Sequence, residues 1–190
     1  EQAPSTQDLV NAVKESGAKE ALILPNDSNI FMAADQAVEI ADVPVKVVRT
    51  RTVQQGLTAL VLGYNPEGTL EDNAEAMTAA LGDVKSGAVT TSVRDTTLNG
   101  LEIHSGDAIG LFDGEIVVSV PNADIHQAAV ELLGKMIDED SELVTVYYGQ
   151  ESSEDDANKL EEAGLAIDED LEFEIHDGGQ PLYPILMSVE

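Results

Sequence analysis

The sequence predicts a mixed α/β chain, with a parallel βα half followed by a half built on an antiparallel meander and helices. Three observations carry this. Short apolar runs alternate with stretches of 3.6-residue periodicity up to about residue 83. From Val84 onward, β-rich runs are broken by dipeptides that favour positive φ. With 190 residues and 43% hydrophobic composition, the chain can form one core-bearing domain that buries roughly 70% of its unfolded surface. We expect a single domain, 1–190, with lobes at about 1–83 and 84–190.

In chain order, Ser5 followed by Asp8 makes a capping-box start, and Leu9, Val10 and Val13 form an apolar stripe ended by Gly17. "ALILP" reads as a buried strand. From Asn29 a helix places Ile30, Ala33, Ala34, Ala37, Val38 and Ala41 on one face. "VPVKVV" is a second strand and "TVQQGLTALVLG" a second helix, with Gly56 implying close packing at a cost of about 1 kcal/mol against alanine. Thr69 and Asp72 cap the helix "LEDNAEAMTAAL".

Asn99-Gly100, Ser105-Gly106-Asp107 and Asp113-Gly114 then mark the reversals of a meander. A helix with Ile125, Ala128, Ala129, Leu132, Leu133, Met136 and Ile137 on its apolar face follows, then the strand "ELVTVYY". Ser153 with Asp156 starts a short acidic helix expected to end at Gly164. The strands "LEFEI" and "YPILMSV" close the chain, with "HDGGQPLYP" expected as the turn between them.

Charge and missing residue types narrow the function. A formal charge of -28, from 37 acidic and 9 basic residues, repels nucleic acid and anionic membranes. The absence of cysteine removes disulfides, thiolate nucleophiles and cysteine-held metals. No apolar run approaches the roughly 18 residues of a membrane span, so no membrane insertion is expected. Neither GxxxxGK[ST] nor GxGxxG occurs, which removes both standard phosphate loops. His104, His126 and His176 lack metal-ligand spacing, and no metal site is expected. The start at Glu1, without methionine, suggests a piece of a longer protein.

Three segments remain as candidates. "LPNDSNI" leads a strand into a helix, where ligands of parallel sheets bind, so Asn26, Asp27, Ser28 and Asn29 either cap that helix or contact a ligand. "VVRTRTVQQG" sets Arg49, Thr50, Arg51 and Thr52 at a helix start. Arginine is disfavoured there by the dipole, so the pair needs either one of the chain's own carboxylates or an anionic ligand. The third segment is the closing loop, with His176, Asp177, Gly178, Gly179 and Gln180. It reads first as a turn and second as a contact rim. Arg94, in the central stretch, is a further anion or interface candidate. No catalytic residue is assigned.

Six phrases in order, "ILPNDSNI", "VVRTRTVQQGLTAL", "NPEGTLEDNAEAM", "VKSGAVTTSVRDT", "YYGQ" and "HDGGQPLYPILMSVE", carry a resemblance. From about Ala21 to Glu190 the chain resembles the C-terminal domain of the ATP-binding subunit of bacterial fatty acid kinase. That family is dihydroxyacetone-kinase-like, with a DegV-like C-terminal part. The resemblance implies a cytoplasmic protein whose ATP and magnesium are held by an N-terminal domain outside this chain, with no cofactor in this part.

It also implies that this region engages a fatty-acid-carrying DegV-family protein, whose acyl carboxylate is phosphorylated for phospholipid synthesis. Read from the residues alone, two alternatives stand beside docking. One is a cleft for a small anionic ligand or lipid. The other is a scaffold or homodimerisation surface.

Overall fold

A computed structural model describes residues 3–82 and 84–190, apart from the side chain of Gln54. The chain divides into two compact units, Glu1–Asp83 and Val84–Glu190. Among the described residues, no helix is long and apolar enough to cross a membrane.

The first unit runs α1 (Thr6–Ser16), β1 (Ala21–Ile23), a 3-10 turn (Ser28–Ile30), α2 (Phe31–Ile40), β2 (Val45–Val47), α3 (Val53–Gly63) and α4 (Leu70–Gly82). The capping box of α1 forms as its sequence requires: Asp8 N–H donates to Ser5 Oγ, and Ser5 N–H donates to Asp8 Oδ2. Gly17 ends α1 in the left-handed region at φ 67. Thr52 caps α3 through Gln55 N–H, and Thr69 Oγ1 accepts from Asp72 N–H at the start of α4.

β1 and β2 pair in parallel, with Ala21 opposite Val45 and Ile23 opposite Val47. Val48, Ala59 and Met77 are buried together, with Leu22, Leu24 and Leu81 packed against them. The ends of both strands therefore emerge side by side, each feeding a helix.

The second unit contains β3 (Lys85–Thr91), β4 (Thr96–Leu98), β5 (Leu101–Ile103), β6 (Ala108–Phe112), β7 (Glu115–Val120), α5 (Ile125–Met136), β8 (Leu143–Tyr148), α6 (Glu154–Ile167), β9 (Glu172–Asp177) and β10 (Ile185–Val189). Six strands form one sheet in the order β7-β6-β3-β10-β8-β9, and β4 pairs with β5 in a separate hairpin. All neighbours in the large sheet are antiparallel except β8 and β9.

The expected reversals form. Asn99 and Gly100 have φ 51 and 77, and Asp113 and Gly114 have φ 47 and 90. Two consecutive positive φ values in a two-residue loop match the right-handed twist of the strands they join. α5 buries Ala128, Ala129, Leu132, Leu133 and Met136 with Val89, Val144, Val146, Leu160 and Met187. Each large side chain buried this way contributes about 1.5–3 kcal/mol.

Two expectations are corrected. α6 does not stop at Gly164 but runs to Ile167. Gly164 is buried inside the helix, where a Cβ would collide with the ring of Phe173 on β9. The glycine there serves close packing and does not terminate the helix.

The second correction concerns "HDGGQPLYP", which is not a reversal between neighbouring strands. β9 and β10 lie on opposite sides of β8. The segment crosses over the end of β8, donating from Gly178 N–H to Tyr148 O and accepting at Gln180 O from Gln150 N–H. β10 takes the interior place between β3 and β8 because Ile185 to Val189 are buried at every position.

Candidate functional site

Apart from Arg94, the described candidates fall into two clusters, one in each unit. The first lies where β1 and β2 end. Asn26, in the left-handed region at φ 59, donates its N–H to Thr50 Oγ1 at 2.9 Å. The Thr50 hydroxyl donates back to Asn26 Oδ1 at 2.8 Å. Thr50 is fully buried, so this reciprocal pair fastens the two strand-end loops to each other. A Cβ on Gly56 would strike Asn26 Oδ1, which explains the glycine in the first turns of α3.

Asn29, exposed, donates its N–H to Asp27 Oδ1, and Asp27 is the residue that caps the 3-10 turn. Of the four possible caps from Asn26 to Asn29, Asp27 is therefore the side-chain cap, and Asn26 and Asn29 are not. Thr52 is such a cap for α3, and Gln55 Oε1 accepts from Arg51 N–H to tighten the same turn.

The two arginines differ. Arg49 pairs with Asp35 on α2 at 2.6 Å, both half-exposed. Arg51 has no carboxylate partner among the described residues. Both guanidiniums lie over the ring of Phe31, at 5.2 Å for Arg49 and 5.7 Å for Arg51. Such placement is worth about 0.5–1 kcal/mol at an exposed site and pre-orients the cation.

Met32, 74% exposed, follows Phe31, and Val53, 55% exposed, opens α3 two residues after Arg51. An uncompensated guanidinium thus lies over an aromatic ring, with exposed apolar residues close to both in the chain, an arrangement suited to an anionic and apolar contact. Phe31 and Asp35 were missed in the sequence. An aromatic residue at the start of an otherwise alanine-rich helix was the available signal.

The second cluster is the crossing segment. His176 is at the end of β9 with its ring stacked on Tyr147, centroids 5.3 Å apart, and Nε2 3.7 Å from Glu174 Oε2. Asp177 closes β9 opposite Tyr148. Burial raises the Tyr147 hydroxyl above its ordinary range, with Glu174 and Glu190 adding to the shift.

Gly179 supplies φ 63, and Gln180 is buried with Nε2 donating to Tyr147 O and Tyr183 O, both at 3.0 Å. Gln180 is thereby a clamp on the loop, while His176, Asp177, Gly178 and Gly179 are exposed on the outside. Arg94 is exposed between β3 and β4, its backbone carbonyl accepting from Ser92 Oγ. Among the described residues there is no group of three or more His, Asp or Glu placed to hold a metal ion.

The architecture is that of the DegV and dihydroxyacetone kinase folds. DegV family protein Cg2579 from Corynebacterium glutamicum aligns with a TM-score of 0.53 at 15% identity, over 99% of this chain and 81% of that one. The Streptococcus pneumoniae fatty acid kinase (Fak) B3 protein loaded with linoleic acid gives 0.50 at 17% identity, over 98% and 76%. The dihydroxyacetone kinase from C. freundii, in complex with AMP-PNP and Mg2+, gives 0.51 at 13% identity, over 98% and 42%.

The chain belongs to the FakA-like C-terminal family of fatty acid kinase, which it matches over residues 1–190. Protein YloV of Bacillus subtilis is 46% identical over 187 residues, covering 98% of this chain. The chain spans about a third, 33%, of the length of that curated relative.

Proposed function

We propose that this chain is the docking part of a fatty acid kinase. It holds a DegV-family protein carrying a fatty acid, so that the acyl carboxylate meets ATP and magnesium bound elsewhere in the full-length protein. The contribution of this part is proximity. Fixing the orientation of two reactants removes entropy from the barrier without adding a catalytic group at the contact. The same reading makes the chain a cytoplasmic component of the kinase.

The observation that supports this most is Arg51. Its guanidinium is laid over Phe31, without a carboxylate partner among the described residues, in a chain of charge -28. With so many acids available, a cation left without a carboxylate over Phe31, with exposed Met32 and Val53 close by in the chain, fits an anionic and apolar partner surface.

The test is a pair of calorimetric titrations of this 190-residue chain. One uses a fatty-acid-loaded DegV-family protein and the other the free fatty acid. Saturable binding of the loaded protein without binding of free acid is expected. Binding of the free acid alone would assign the Arg49–Arg51 site to a small anionic ligand instead.

A further inference from the structure

The second unit contains a cavity of about 210 Å³ between the N-terminal ends of α5 and α6, lined by none of the candidate residues above. Its floor is apolar and buried: Ala129 and Leu160 are each 1% exposed and Ile185 is 3% exposed. Its rim carries Glu151, Ser152, Asp156 and His126. An apolar cavity of about 150 Å³ already accepts benzene, so this one holds a ring or a short branched chain.

The rim decides the charge of the occupant. Two helix N-termini would by themselves invite an anion. Both are already capped from within: Asp124 Oδ1 accepts from Gln127 N–H, and Ser153 Oγ accepts from Asp156 N–H. Asp156 Oδ2 is held by Ser152 Oγ, Ser153 N–H and Ser153 Oγ, which fixes the carboxylate. Its Oδ1 has no hydrogen bond among the described residues. Glu151 likewise has no hydrogen bond or ion pair among them. Two carboxylates beside a low-dielectric floor focus negative potential on the mouth.

We propose that this cavity binds a small primary amine carried on a compact apolar group. The hydrocarbon lies on Ala129, Leu160 and Ile185. The ammonium donates its three N–H groups to Glu151, to the free oxygen of Asp156 and to a ring nitrogen of His126. The proposal is independent of the docking role.

Phenethylamine and phenylacetate, with the same ring and opposite charge, are the probes, titrated into the 190-residue chain by NMR. We expect saturable shifts of the Ala129 and Ile185 methyls and the His126 ring with phenethylamine, at a dissociation constant of about 1 mM or tighter. Phenylacetate should bind at least tenfold more weakly. Glu151→Gln, an exposed change that leaves the floor intact, should weaken the amine about three- to fivefold. Absence of a saturable shift, equal binding of phenylacetate, or unchanged affinity in Glu151→Gln would each overturn the proposal.

Discussion

Asn26 and Thr50 hold each other across the ends of two parallel strands, each donating one hydrogen bond to the other at 2.9 and 2.8 Å. Their pairing depends on a third residue, because Gly56 leaves the space that the Asn26 carboxamide occupies. Gly56→Ala should therefore destabilise the protein, by about 1–3 kcal/mol, although alanine is the better helix former. Thr50→Val should cost a similar amount by leaving the Asn26 N–H without its partner. Urea unfolding midpoints check both. A more stable Gly56→Ala would mean that the asparagine carboxamide relocates without loss.

Gln180 offers an isosteric test of the crossing segment. Its Nε2 donates to two backbone carbonyls, Tyr147 O and Tyr183 O, from a buried position. Gln180→Glu replaces that donor with an acceptor facing two other acceptors. It should cost more than Gln180→Leu, which loses the bonds but also the unpaired Oε1. We expect losses of about 2 kcal/mol or more for glutamate. Thermal unfolding reports the order, and equal midpoints would contradict the clamp.

The α1 cap gives a pH signature. The Ser5 N–H, with the Ser5 hydroxyl assisting, holds Asp8 below the ordinary carboxylate range. A group depressed in the folded state contributes stability that is complete above its unfolded pKa, near 3.8, and lost as pH falls through the lower folded value. The Ser5 amide resonance should therefore titrate with a midpoint below the ordinary carboxylate value of 3.8. The Asp8→Asn variant should show no such step. A flat Ser5 amide in the unmodified protein would mean the capping box is open in solution.

Local chemistry was legible where it acts within a few residues. Ser5 with Asp8, Thr69 with Asp72, Ser153 with Asp156, and the Asn99-Gly100 and Asp113-Gly114 turns all operate over such spans, and each forms where the residues placed it. Gly56 was readable as a close approach, but not the identity of its neighbour.

Long-range pairing was not legible. β10 lies between β3 and β8, so the segment before it crosses a strand. Nothing within "HDGGQPLYP" distinguishes that crossing from a hairpin. Gly164 misled for a related reason: its small size answers to Phe173 on another element, and sequence proximity cannot show that. The arginine pair was identified as a pair, while its division into a compensated Arg49 and an uncompensated Arg51 depends on where Asp35 falls across the fold.

The docking claim is tested most directly by the affinity of this chain for a fatty-acid-loaded DegV-family protein, measured for the unmodified chain, Arg51→Glu and Arg49→Ala. Arg49 already spends its charge on Asp35, so its removal should change affinity little, whereas reversal at Arg51 should weaken binding about tenfold or more with an unchanged unfolding midpoint. Full-strength binding by Arg51→Glu, or no binding by the unmodified chain, would contradict the account.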